Sequence, residues 1–290
     1  MIRDAVLIAA GRGTRMLPAS LYSPKETLPL IDTPLLNHLI WEAERAGVTR
    51  LHLVLSKRKF QQMEAFLIKR ESGLSKFRPD LPEKALSLGS AKIEVIPKIQ
   101  RSPNGVMDAI SAALEDIDGA FLVLMGDMLL MDAHLSPKFS GPEFASSASE
   151  RLVLAYGETG LPCVGVNPVD PNEVINYGVV EVMGEKVVDI IEKPTVGYTT
   201  SNLILSGRYI FPAGTKELIE RFNVEKYGEL QSIEILKYLS KHDGLNAVNL
   251  HDMKIYDSGD PVSWLKSQID HALSREDMSD EIRDFIRTIL

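Results

Sequence analysis

The sequence predicts a doubly wound α/β fold: a Rossmann-like mixed sheet covered by helices on both faces, with a small second lobe and C-terminal helices. Three observations predict it. Residues 5–10, Ala-Val-Leu-Ile-Ala-Ala, are apolar at every position, as in a parallel strand buried on both sides. Strand-like runs then alternate with helix-period segments, an order that demands crossover connections of one hand. Finally, 290 residues with 44% hydrophobic and 25% charged content can bury a large core, which excludes a disordered chain.

Each element follows from local pattern. After the first strand, Thr33 is expected to cap a helix starting at Pro34, with Leu35, Leu36, Leu39, Ile40 and Ala43 as its apolar stripe and Gly47 closing it. Residues 51–55 read as the second strand. Residues 58–91 are charged and contain proline, and read as a helical excursion on the surface. Residues 92–96 form a third strand, 106–114 a helix and 120–125 a fourth strand. The Ser, Pro and Gly content of 136–150 signals a loop or weak helix. Shorter strands follow at 152–156, 178–183 and 186–191, the last two joined as a hairpin at Gly184-Glu185. Another strand covers 203–211, helices cover 215–222 and 229–241, and 261–290 is a helical tail with apolar faces.

Composition narrows the function. Lys and Arg total 32 against 40 Asp and Glu, a net charge of −8 that argues against a nucleic-acid partner. The lone Cys163 excludes an internal disulfide and a cysteine-based zinc site, fits a reducing cytoplasm, and lacks a basic neighbour that would make it a nucleophile. The apolar runs 5–10 and 120–125 are six residues each, against the ~20 a bilayer needs, so no membrane partner is expected. His38, His52 and the other histidines show no metal-ligand spacing and read as surface or helix-face residues.

The most informative stretch is Gly11-Arg12-Gly13-Thr14-Arg15-Met16-Leu17-Pro18, directly after the first strand. Glycines there permit positive φ, so successive N–H groups can turn toward phosphate oxygens. Arg15 adds a bidentate phosphate donor, and Lys25 adds a point charge. On the Gly-x-Gly alone, a strand-to-loop turn with surface cations is an equal reading. The Walker pattern is absent. A dinucleotide fingerprint fails at Met16, and Pro18 and Pro24 stop a helix from starting there. A long, proline-stiffened, cationic loop suits a triphosphate and speaks against an oxidoreductase.

Extended through Pro24-Lys25-Glu26-x-Leu28-Pro29-Leu30, this stretch closely resembles the signature of sugar-1-phosphate nucleotidyltransferases, UTP–glucose-1-phosphate uridylyltransferases first and glucose-1-phosphate thymidylyltransferases second. The resemblance continues in order through Gln100 to Gly105, Met125-Gly126-Asp127, Tyr177-Gly178-Val179-Val180, Glu192-Lys193-Pro194, Ser201-Asn202-Leu203 and Tyr256-Asp257-Ser258-Gly259. It implies an α/β domain over 1–260, with 1–135 mainly nucleotide-binding and 150–260 mainly sugar-binding, and a tail over 261–290 through which such chains form homo-oligomers. The implied partners are an NTP, UTP before dTTP, and a sugar 1-phosphate, with glucose first. The implied nucleotide-binding residues are Ala10, Gly11, Gly13, Thr14, Gln100, Gly105 and Gly126. The sugar-binding residues are Gly178, Glu192 and Asn202, the catalytic residues Arg15, Lys25 and Lys193, and the Mg²⁺ ligands Asp127 and Asp257. A non-catalytic protein that binds a sugar nucleotide is the alternative.

Physical reasons accompany these roles. Asp127 and Asp257 each follow a strand-like run, at the end where open sheets bind ligands, and two carboxylates with phosphates and waters suffice for Mg²⁺. Either one alone also reads as a turn or helix cap. The Gln100 amide both donates and accepts, matching the imide edge of uracil or thymine. One segment departs from the family pattern. Where Gly-Leu-Gly-His-Ala or Gly-Leu-Ala-Gln-Ala is usual, this chain has Gly105-Val106-Met107-Asp108-Ala109, and the bulk of Met107 is expected to bear on nucleotide choice.

Overall fold

A computed structural model describes residues 2–68, 76–86, 92–228 and 231–290. The chain opens with β1 (Asp4–Ile8), runs through a loop of short 3₁₀ turns into β2 (Pro29–Leu30) and β3 (Thr33–Pro34), and enters α1 (Leu35–Arg45). Next come β4 (Arg50–Ser56), α2 (Lys57–Ile68), β5 (Glu94–Gln100), α3 (Val106–Ser111), β6 (Phe121–Met125) and β7 (Met128–Met131). The second half contributes α4 (Ala148–Thr159), β8 (Cys163–Pro168), β9 (Gly178–Met183), β10 (Lys186–Glu192) and β11 (Leu203–Phe211). It closes with α5 (Thr215–Arg221), α6 (Val224–Tyr227), α7 (Gln231–His242), β12 (Asn246–Asn249), β13 (Lys254–Asp257), α8 (Pro261–Ser274) and α9 (Ser279–Ile289).

Nine strands form the main sheet in the order β5-β4-β1-β6-β11-β8-β12-β10-β9. The first four run parallel, and β11 is antiparallel to both β6 and β8. Side chains of β1 alternate between two cores: Ala5 and Leu7 pack with α1, α4 and α8 residues, while Val6 packs with α3 and α7. That is why the first strand is apolar at every position after Asp4. The register of β11 shifts between Leu205 and Tyr209, at Gly207 with φ 71°. The bend lets Ile204 also pair with Val179, so the sheet curls back on itself.

Several expected boundaries move for identifiable reasons. Residues 152–156 are helical, inside α4: Leu152 is buried while Leu154 is 61% exposed, a one-sided pattern, and Gly160 ends the helix at φ 69°. The strand at 92–96 reaches Gln100 because β5 is an edge strand and tolerates Pro97. Thr33 belongs to β3, paired with Leu30, so the residue preceding α1 is Pro34. Helix 106–114 ends at Ser111. The excursion at 58–91 is helical over Lys57–Ile68, and residues 69–75 and 87–91 lie outside the described residues, as do 229–230 of the helix expected at 229–241. His52 is a core residue, bonded to Asp4 Oδ1 at 3.0 Å. Cys163 is buried, and burial pushes its thiol up to about 12. Among the described residues no helix is long and apolar enough to cross a membrane.

Candidate active site

Parallel strands that begin at one edge end together at the other, and ligands bind beyond their carboxyl ends. Ala10 and Gly11 follow β1, Gln100 ends β5 and Asp127 follows β6; all four line one cleft of about 550 Å³. Gly126 makes this junction possible. Its N–H donates to Ile8 O at 2.9 Å, and a Cβ there would lie 2.5 Å from the same oxygen.

The loop after β1 is shaped by Gly13 at φ 65° and fastened by Ser20 Oγ, which donates to Gly13 O at 2.8 Å. Met16 is buried and anchors the loop, leaving Thr14 and Arg15 exposed. Arg15 Nη2 and Asp257 Oδ1 both crowd the point where a Gly259 side chain would begin, at 3.0 and 2.8 Å, so a larger residue there would have to displace them.

Lys25 is almost fully buried, with Nζ 2.8 Å from Asp127 Oδ2. Burial opposes ionisation of Asp127, but the Lys25 ammonium prevails and holds the carboxyl below its ordinary range. Behind Lys25 lies a second pair. Lys59 Nζ sits 2.7 Å from both Glu26 oxygens and 2.8 Å from Ala9 O, with both residues only 1% exposed. This pair joins α2 to both ends of the loop after β1. Nothing in the sequence distinguishes Lys59 from its exposed neighbours Lys57 and Arg58.

Asp257 arrives from 130 residues away. It ends β13, which pairs antiparallel with β7 so that Asp257 lies opposite Met128, and Ser258 N donates to Asp127 O at 3.0 Å. Burial raises the Asp257 pKa, and the neighbouring Asp127 charge raises it further. Two carboxylates held together at the price of mutual repulsion suit a hard divalent cation. Among the described residues no group of three or more His, Cys, Asp or Glu converges, so such a cation would rely on phosphate and water oxygens.

On the opposite wall, Gly178 faces Glu192 across the β9–β10 ladder, and both line the cleft. A Cβ on Gly178 would meet Glu192 Oε2 at 3.1 Å. Lys193 also lines the cleft; it has φ 45°, and its side chain is 61% exposed, 3.5 Å from Glu192 Oε1. Asn202 is not part of this wall. Its side-chain Nδ2 donates to Val169 O at 2.8 Å while its backbone carbonyl accepts from Val169 N, so it ties two loops together. The departing segment is also reassigned. Met107 is 1% exposed and packs in the core under α3, turned from the cleft, whereas Asp108 bonds to Gln100. Tyr177, which sequence reasoning placed only in a motif, lines the cleft and a neighbouring pocket of about 390 Å³.

A strand-end cleft with a glycine-bent cationic loop, two adjoining carboxylates and a lysine on the far wall defines a protein that handles nucleoside phosphates. The chain belongs to the nucleotidyl transferase family, whose sequence pattern matches residues 4–272. It is 31% identical over a 301-residue alignment to UTP–glucose-1-phosphate uridylyltransferase 2 of Staphylococcus saprophyticus, covering 99% of this chain and 98% of that protein. The corresponding enzyme of Staphylococcus epidermidis is 29% identical over 300 residues, with 99% and 98% coverage. Among solved structures, a UDP-glucose pyrophosphorylase from Acinetobacter baumannii superposes with a TM-score of 0.82 at 27% identity over the full length of both chains. A UTP-bound form of the enzyme from that organism gives 0.81 at 28% identity, covering 99% of each chain.

Proposed function

We propose that this chain transfers a uridylyl group from UTP to glucose 1-phosphate, giving UDP-glucose and pyrophosphate. The observation that carries it is the pairing of Lys25 with Asp127 beside Asp257 and Arg15, at the cleft edge where the cationic loop ends. The sugar phosphate oxygen attacks the α-phosphorus, the α–β bridging bond breaks, and the electron pair leaves with pyrophosphate. The nucleophile is already anionic, so no general base is required, and catalysis reduces to alignment and charge stabilisation.

In this reading Ala10, Gly11, Gly13 and Thr14 receive the triphosphate with their backbone N–H groups, Gly126 keeps the floor of the cleft flat, and Gln100 and Gly105 face the base. Arg15 and Lys25 stabilise charge on the departing pyrophosphate. Lys193 holds the sugar phosphate, and Glu192 accepts hydrogen bonds from sugar hydroxyls beside Gly178. Asp127 and Asp257 would hold Mg²⁺, which supplies neutralisation of phosphate charge. The division into a nucleotide side, 1–135, and a sugar side, 150–260, is part of the proposal. So are a cytoplasmic location and self-association through the tail, supported by the exposed Phe285 and Ile289 of α9.

The test is a matrix of pyrophosphate release, UTP, dTTP, CTP and ATP against glucose, galactose and mannose 1-phosphates, with and without Mg²⁺. UTP with glucose 1-phosphate is expected to be the fastest pair and to need the cation. Absence of turnover for every pair would leave a binding protein instead. A fastest pair containing dTTP would make it a thymidylyltransferase.

A further inference from the structure

Gln100 is held in one orientation. Its Nε2 donates to Asp108 Oδ2 at 2.7 Å and to Gly105 O at 3.2 Å. Both partners are pure acceptors, so the two amide hydrogens are spent and the nitrogen end is fixed by chemistry. Turning the amide over would set its oxygen against a carboxylate and a carbonyl, two contacts between lone pairs. The Oε1 atom is therefore the part of Gln100 left for a ligand in the cleft, which Gln100 lines together with Gly105, Val106 and Ala109.

We propose that Asp108 is a positioning residue that makes this enzyme select a base with an N–H at its imide position. The proposal rests on the nucleotide-binding part of the reading of the cleft and extends it to base choice. An acceptor locked at Gln100 is matched by N3–H of uracil. Cytosine in the same pose presents an unprotonated N3, and its lone pair opposes that of Oε1. A free glutamine would escape the conflict by flipping and donating through Nε2. Asp108 forbids the flip, and so rejects cytosine without touching it. This assigns a consequence to the segment that departs from the family pattern, and places it at Asp108.

The test is calorimetric binding of UTP and of CTP, in Mg²⁺ buffer without sugar, to the wild type, Asp108→Asn and Asp108→Ala. Asn can accept from Nε2 or donate to a flipped Oε1, so Asp108→Asn keeps the shape and releases the orientation. The wild type is expected to prefer UTP. In both variants the UTP-over-CTP ratio of affinities should fall by about tenfold, or ~1.4 kcal/mol, chiefly because CTP binds more tightly. General damage to the site would not tighten any ligand. In a Gln100→Ala background, Asp108→Asn should make no further difference to the ratio. The proposal is overturned by a ratio unchanged within twofold in Asp108→Asn, by a change that persists without Gln100, or by a wild type indifferent to the base. Should UTP bind selectively while no sugar 1-phosphate supports pyrophosphate release, the transfer reading fails and the base selection by Asp108 stands.

Discussion

Arg15 and Lys25 bring positive charge to the cleft from different depths. Lys25 is buried and neutralised by Asp127 at 2.8 Å, whereas Arg15 is exposed beside Asp257 and Gly259. In the proposed reading an incoming triphosphate meets Arg15 first, in the outer part of the loop. Arg15→Ala is expected to lower the transfer rate on the order of 10²–10³-fold, the usual effect of losing one preorganised donor to developing charge. Steady-state kinetics check this, and a near-normal rate removes Arg15 from the mechanism. Residue types in order marked Arg15, Lys25 and Asp127 as candidates, because the whole ordered run of motifs, and not the glycine loop alone, resembles one family. Lys59 was not legible. Its burial depends on how α2 seats against Glu26 and Ala9, and no local pattern encodes that.

At the scale of elements, the site depends on β11 and β7 holding their positions beneath the carboxylates. Arg208 of β11 is fully buried and meets Glu42 of α1 through two bonds of 2.6 and 2.8 Å; it also donates to Met128 O, next to Asp127. Ser149 of α4 completes the set with a bond to the same Glu42 carboxylate. Removing one charge from such a pair strands the other in the core, so Glu42→Gln should destabilise the fold by about 3 kcal/mol or more. By contrast, Arg151 with Asp252 is a bidentate pair at the surface, and Arg151→Ala should cost ~1 kcal/mol at most. Urea denaturation of both variants checks the ordering, and an equal loss contradicts it. Strands 178–183 and 203–211 could be read from the sequence because they are short runs rich in β-branched and other apolar residues. The central strand β8 could not, since Gly165, Asn167 and Pro168 give it the look of a loop. Its depth in the sheet is set by its neighbours β11 and β12.

For the whole molecule, the tail is fastened to the body by groups that must stay uncharged. His271 of α8 is buried with Nδ1 3.1 Å from His134 Nδ1, and His38 of α1 has a buried Nε2 with no hydrogen-bond partner among the described residues. Burial holds His38 down to about 4 and His271 to about 3. The unfolded chain takes up protons as pH falls through the ordinary histidine value near 6.5, and the folded chain does not. Stability is thus complete above that value and declines as pH falls toward 4, by on the order of 3 kcal/mol for His38. Guanidinium unfolding at pH 7.5 and 4.5 measures the decline, and His271→Asn should reduce it while leaving the His38 part. A stability independent of pH over that window would contradict this account. Nearby, Arg275 anchors the same tail through Asp32 at 2.7 Å.

The net charge of −8 also takes its meaning at this scale. Exposed charges are screened beyond ~8 Å at physiological salt, whereas a cation ~4 Å from a phosphate contributes ~4 kcal/mol at an effective dielectric near 20. An acidic net charge therefore argues against a nucleic-acid polymer without arguing against a nucleotide held by a few cations around one cleft. The sequence by itself determined the fold class, the family and several of the residues that line the cleft, Lys25, Gln100 and Asp127 among them. These are written locally, in a both-sided apolar strand, a glycine-bent loop and carboxylates at strand ends. Only the tertiary structure decided that Asp257 meets Asp127, that Lys59 backs Glu26, that Asn202 ties loops and that Asp108 orients Gln100. Each of these is fixed by which surfaces pack together and by where buried polar atoms find partners, and that information is shared among segments far apart in the chain.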